Sequence, residues 1–151
     1  MGYVLASNDE ISLVMPDSHS GSFDVYEIIR VEDSEVLGYI SYHYETDKIA
    51  GNVSYKIFEE FNGHNYAKKT LKLFAKNLFK IDDSDLFISI YPDNLASIKT
   101  AVGAGAVFDR KIDIPPHSTY SLGGRNKYAN RYIIKNNKGV NDEKNKIKKH
   151  L

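Results

Sequence analysis

Apolar positions along this chain recur first with period two and later with the period of a helix. The runs at 3–6 and 11–15 are short and apolar, separated by Ser7-Asn8-Asp9-Glu10, a turn composition. Asp17–Ser22 reads as a loop. Phe23–Val31 and Val36–Tyr44 are rich in β-branched and aromatic residues and are joined by Glu32-Asp33-Ser34-Glu35, which predicts a hairpin of two long strands. Val53, Tyr55 and Ile57 alternate with Asn52, Ser54 and Lys56, giving a fifth strand over 52–58. The period then lengthens. Ala67, Leu71, Phe74, Ala75 and Leu78 form one helical stripe, with Lys68, Lys69, Lys72 and Lys76 on the remaining faces. Leu86–Tyr91 is a nearly continuous apolar run, as in a strand buried on both faces. Asn94–Ala104 reads as a short helix, with Asn94 as N-cap and Gly105 where a left-handed residue is wanted. Val107–Ile114 and Tyr128–Lys135 are the last strands, and Pro115-Pro116 and Gly123-Gly124 mark the loop between them.

The resulting order, five strands, helix, strand, helix, two strands, is an α+β (mixed α/β) arrangement. Its strand–helix–strand centre predicts parallel strands joined by a right-handed crossover, flanked by antiparallel hairpins.

Composition narrows the class. A chain of 151 residues is one ordinary domain. The absence of cysteine excludes a disulfide scaffold, a thiolate zinc site and a cysteine nucleophile. Twenty basic residues balance twenty acidic ones, which argues against nucleic acid as a partner. Five of the lysines lie in 136–151, so we expect a folded domain over 1–135 and a flexible Lys-rich tail over 136–151. No apolar stretch approaches the ~20 residues that span a bilayer, and Met1–Ser7 lacks the pattern of a signal peptide. We expect a cytoplasmic protein with no membrane partner. The five histidines show no ligand spacing, so no metal is expected.

Candidate chemistry concentrates in Phe61-Asn62-Gly63-His64-Asn65-Tyr66-Ala67-Lys68-Lys69, between the fifth strand and the amphipathic helix. The first N–H groups of a helix lack helical partners, and the dipole there favours anions. One Gly and two Asn allow open or left-handed backbone, so several N–H groups can converge on a phosphate. His64, Lys68 and Lys69 add positive charge. The alternative is a well-capped helix start with a solvated lysine face. Gly63-x4-Lys68-Lys69-Thr70 is one residue from a Walker A loop, but Lys68 replaces its second glycine, so nucleotide binding ranks below the next reading.

Asn62-Gly63-His64-Asn65-Tyr66-Ala67, with Pro92-Asp93-Asn94-Leu95-Ala96-Ser97 and Gly105-Ala106-Val107-Phe108, resembles the GNAT superfamily of N-acetyltransferases over roughly residues 23–135. The Asn-x-x-Ser segment and Gly51-Asn52 look most like the branch that includes the ribosomal-protein alanine acetyltransferases. The resemblance implies a GNAT-like fold with a mostly antiparallel sheet, a central parallel β-α-β unit and a short N-terminal region. It implies that acetyl-CoA is held by Asn62, Gly63, His64, Asn65, Tyr66, Ala67 and Lys68. The pantetheine arm would pair with the backbone of Ile57 and Phe58, with Asn94 and Ser97 on the other side. The Ile57 N–H would stabilise the oxyanion. Asn62 and Asn65 stand where the family pattern has Arg and Gly.

The resemblance implies acetyl transfer to a primary amine, small or on a protein, by direct attack in a ternary complex. The amine must lose a proton. Asn52 occupies the position of the family's frequent glutamate and cannot serve. Glu27, His43, Asp93 and His117 are the candidate bases. Ala101 occupies the position of the family's usual tyrosine acid, leaving Tyr91 or Tyr120. Tyr39, Tyr42, Tyr44 and Tyr55 are candidates to line the acceptor pocket. Only about twenty residues precede Phe23, where the family places two helices, so the acceptor side is expected to be open or closed by a second copy in a homodimer. The alternative is a non-catalytic acyl-CoA-binding regulatory module.

Overall fold

The computed structural model describes residues 3–16, 23–47, 51–81, 83–114 and 128–136. Its elements follow the expected order: β1 Tyr3–Ser7, β2 Ile11–Met15, β3 Phe23–Arg30, β4 Val36–Asp47, β5 Gly51–Ile57, α1 Tyr66–Ile81, β6 Leu86–Ile90, α2 Leu95–Gly103, β7 Val107–Asp113 and β8 Tyr128–Ile134. A 3-10 turn at Glu59–Phe61, which the sequence pattern does not announce, leads out of β5. The loops at 17–22 and 115–127, with His117 and Tyr120, lie outside the described residues, as does the tail from 137 onward.

The strands form one eight-stranded sheet in the order β1-β2-β3-β4-β5-β6-β8-β7. β1 to β5 are an antiparallel meander, and β8 inserts between β6 and β7. The parallel ladder expected between 52–58 and 86–91 does not form. β5 and β6 meet at a single bridge, Gly51 opposite Ile88, of antiparallel pattern. The reason lies in two residues. Gly51 has φ 75°, and a Cβ there would come within 2.4 Å of the Phe87 carbonyl oxygen, so only glycine allows this approach. Asn52, 2% exposed, then clamps β6 with its side chain. Its Nδ2 donates to Asp85 O at 2.9 Å, and its Oδ1 accepts from the Phe87 N–H at 2.8 Å. The clamp replaces the rungs of a ladder, and the later residues of β5 are left without a strand partner on that side.

The core is built on α1. Leu71, Phe74, Ala75 and Leu78 are buried against inward residues of the sheet, including Ile28, Ile40 and Val53. Burying each large side chain contributes about 1.5–3 kcal/mol. The Phe74 ring lies 6.1 Å from that of Tyr26 and 5.9 Å from that of Tyr42. Tyr42 is therefore a core residue rather than a pocket lining. α2 is fixed at both ends. Asn94 Oδ1 accepts from the Ser97 N–H at 3.3 Å. Gly105, at φ 101°, lets the Ala106 N–H reach Ala101 O at 2.9 Å and its own N–H reach Val102 O at 3.0 Å, a Schellman ending. The alternate positions of the sheet, among them Tyr39, Ser41, Ser54 and Lys56, are half-buried or exposed.

Candidate functional site

After Ile57 the chain passes the 3-10 turn and enters α1 through two left-handed residues, Gly63 at φ 91° and Asn65 at φ 61°. Glycine takes that region freely and asparagine tolerates it. The first helical bond is donated by the Lys69 N–H to Asn65 O at 3.0 Å. The N–H groups of Tyr66, Ala67 and Lys68 therefore precede the helical ladder. No acidic side chain occupies the first turn of α1, so its positive pole is not neutralised locally. Unpaired N–H groups at the positive end of a helix are the arrangement that can receive an anion.

The loop forms one wall of a cavity of about 550 Å³. Tyr55 to Ile57 of β5 form its floor, and Ala96, Ser97 and Thr100 of α2 form the facing wall. Of the expected cofactor residues, Ile57, Asn62, Gly63, Asn65, Tyr66, Ala67 and Ser97 line this cavity. Phe58, His64, Lys68 and Asn94 do not. His64 is exposed, its ring 5.6 Å from that of Tyr66. The Lys68 stem runs against Gly103, where a Cβ would meet its Cδ at 2.9 Å. The Asn94 side-chain oxygen is engaged in capping α2.

Backbone direction separates Ile57 from Phe58. The Phe58 N–H donates to Leu37 O at 2.8 Å, and its carbonyl accepts from the Phe61 N–H at 2.9 Å. Both backbone groups of Phe58 are thus already engaged within the fold. Bonded and non-bonded pairs alternate in an antiparallel ladder. The next pair, Gly38 opposite Ile57, is then of the non-bonded kind, as is Ile40 opposite Tyr55. The N–H and C=O of Ile57 and Tyr55 turn away from β4, toward the side where β6 has diverged. The combination is an N–H donor on the floor and a cluster of N–H donors at one end.

Three further residues shape the site. The Tyr55 hydroxyl is buried without a hydrogen-bond partner among the described residues, and burial pushes its pKa up to about 12, so it stays protonated. Thr100 lies one turn on from Ser97, a position that helical spacing identifies once α2 is known. Arg30, at the end of β3, supports the loop from behind. Its guanidinium sits 5.3 Å from the Phe61 ring centre, Nη1 donates to the Tyr66 hydroxyl at 3.5 Å, and Nη2 pairs with Asp33 at 2.6 Å. That pairing holds the Asp33 carboxyl below its usual range. Arg30 comes from a distant strand, and no local pattern marks it.

None of the proton-transfer candidates among the described residues lines the cavity. Glu27 stands opposite Tyr39, which stands opposite Lys56, placing it two strands from β5 and level with Lys56, the residue before Ile57. His43 follows Tyr42, which pairs with Val53, four residues before Ile57, or roughly 13 Å along the strand. Tyr91 and Asp93 belong to the β6–α2 turn, where their carbonyls accept from the Asn94 and Leu95 N–H groups, both at 3.0 Å. Among the described residues no group of three or more metal-ligating side chains is present, and no helix is long and apolar enough to cross a membrane.

Residues 8–107 match the family model described as an acetyltransferase (GNAT) domain. No curated protein sequence matches the chain. Solved structures share its fold at low identity. The microcin C7 self-immunity acetyltransferase MccE, solved with acetyl-CoA and AMP, is 14% identical with TM-score 0.66, over 84% of this chain and 93% of that one. A point mutant of the spermidine N-acetyltransferase SpeG from Vibrio cholerae is 14% identical with TM-score 0.65, over 83% and 71%. The ribosomal L7/L12 α-N-protein acetyltransferase RimL, solved with coenzyme A, is 20% identical with TM-score 0.61, over 76% and 62%.

Proposed function

Because this chain belongs to the GNAT acetyltransferase family, we propose that it transfers the acetyl group of acetyl-CoA to a primary amine by direct attack in a ternary complex. The observation that carries this reading is the left-handed pair Gly63 and Asn65, which aims the start of α1 into the cavity floored by Ile57. In this reading the loop N–H groups and the α1 dipole hold the pyrophosphate. Tyr55 and Ile57 offer backbone groups to the pantetheine, and Ser97 and Thr100 face it from α2. The Ile57 N–H then donates to the thioester oxygen as negative charge develops there, an interaction worth a few kcal/mol in the transition state. The amine nitrogen attacks the carbonyl carbon, the C–S bond breaks, and the thiolate leaves.

The attacking amine must be neutral. Glu27, level with the Ile57 end of the cleft but two strands away, is better placed than His43 to take its proton through water. Acceptors of the structural relatives include spermidine and a ribosomal α-N-protein by their names, so both small amines and peptides belong in the test.

The decisive assay follows thiol release from acetyl-CoA with a panel of peptides and small amines. Release that depends on the acceptor is the expected result. Saturable CoA binding without release from any acceptor would instead favour an acyl-CoA-binding regulatory module. One observation supports that second reading: among the described residues, no Asp, Glu or His lines the cavity.

A further inference from the structure

Helix α1 carries five lysines, at 68, 69, 72, 76 and 80, and no acidic residue. The rest of the chain has fifteen basic residues against twenty acidic ones. Lys68–Lys72, Lys72–Lys76 and Lys76–Lys80 are like charges one turn apart, an arrangement that destabilises a helix. Lys69 has a partner, with Nζ 2.7 Å from Glu10 Oε1. Lys72, Lys76 and Lys80 are exposed and have no ion pair among the described residues.

These side chains do not project from a plain convex surface. Lys69, Lys72, Lys76 and Lys80 line a trough of about 410 Å³ whose other wall is Ser7, at the end of β1, and Asn8. Asn8 Oδ1 already accepts from the Glu10 and Ile11 N–H groups, at 2.8 and 2.9 Å. What Asn8 has left to offer is its amide donors. Leu73 adds one half-buried apolar contact. Asn77, which also lines the trough, spends its amide nitrogen on Leu73 O at 2.9 Å. A surface dominated by cations around a small apolar spot fits an anionic, partly apolar ligand.

Spacing selects among anions. Lys72, Lys76 and Lys80 repeat every four residues, about 6 Å of helix rise each. Carboxylates four apart on a second helix repeat at the same interval. Among the described residues the trough contains neither arginine, the residue suited to bidentate phosphate contacts, nor an aromatic platform for bases. We propose that this trough docks an acidic helical segment of a partner protein, with Asp or Glu at every fourth position. The surface is separate from the cavity of the transfer reaction, so this proposal stands or falls independently of that one.

The test is fluorescence anisotropy on the full chain with a labelled alanine-based helical peptide bearing glutamate at every fourth position. The comparison probes are the same peptide interrupted by two prolines and a short single-stranded RNA. The helical peptide should bind at low salt, and the proline-interrupted peptide should bind at least ~10-fold more weakly. The triple variant Lys72→Glu/Lys76→Glu/Lys80→Glu should abolish binding while retaining its circular dichroism spectrum. Lys76→Glu alone turns the repulsion of Lys72 and Lys80 at that position into attraction, so it should raise the melting temperature and still weaken the peptide. Absence of peptide binding, equal binding of the proline peptide, tighter binding of RNA, or undiminished binding by the folded triple variant would each overturn the proposal.

Discussion

Asn65 illustrates how much one backbone angle decides. At φ 61° it must be a residue that tolerates the left-handed region, and a β-branched substitute would cost roughly 1–2 kcal/mol there. Asn65→Gly should therefore keep both stability and CoA affinity, whereas Asn65→Asp should keep the fold and weaken CoA by placing a carboxylate beside the phosphates. Calorimetric titration of the two variants checks this. Tyr55 makes a prediction in pH. Its folded pKa, about 12, lies above the ordinary value of 10, so the unfolded chain loses this proton first as pH rises. The contribution is intact below pH 10 and is lost as pH climbs toward 12, by roughly 2–3 kcal/mol for a two-unit shift. Urea unfolding from pH 9 to 11 should show a smaller alkaline loss for Tyr55→Phe than for the parent chain. Gly63 and Asn65 are legible in the sequence because their residue types favour the angle they adopt. The Tyr55 hydroxyl and Arg30 are not, because burial and a contact between remote strands leave no mark on local composition.

Among the elements, the order of strands and helices is legible because the apolar period changes at their boundaries. The N-cap Asn94 and the left-handed Gly105 announce both ends of α2. The relation of β5 to β6 is not legible. A strand–helix–strand pattern favours a parallel ladder, but the Asn52 side chain takes the place of backbone rungs, and no periodicity encodes that choice. The 3-10 turn is not legible either, and with it the engagement of the Phe58 carbonyl by the Phe61 N–H and of its N–H by the β4 edge. Replacing Asn52 with leucine removes two buried hydrogen bonds and leaves their backbone partners unpaired. The expected loss is about 2–4 kcal/mol by chemical denaturation. Asn94→Ala removes only a cap and should cost about 1 kcal/mol. A smaller effect at Asn52 than at Asn94 would contradict the clamp.

For the whole molecule, both helices contribute to one core cluster with the sheet, while the alternate sheet positions remain half-buried or exposed. Glu27 and His43 are equal candidates in the sequence because strand register is not encoded there. Register puts Glu27 level with Lys56, next to Ile57, and His43 well down the strand. Glu27→Gln should lower kcat far more than His43→Gln, with little change in KM for acetyl-CoA. Equal effects, or a larger one at His43, would contradict the assignment. The acceptor is not legible, since neither residue pattern nor fold fixes which amine enters.

Acetyl transfer by this chain requires that the bend between β5 and α1 grip a diphosphate. Titration of CoA into the protein by calorimetry, beside Gly63→Pro, addresses that grip most directly, because proline cannot adopt the φ of 91° seen at that position. One saturable site is expected in the parent chain, with an affinity at least ~10-fold weaker in a variant that still unfolds cooperatively. No saturable heat in the parent chain, or the same affinity in both proteins, would contradict it.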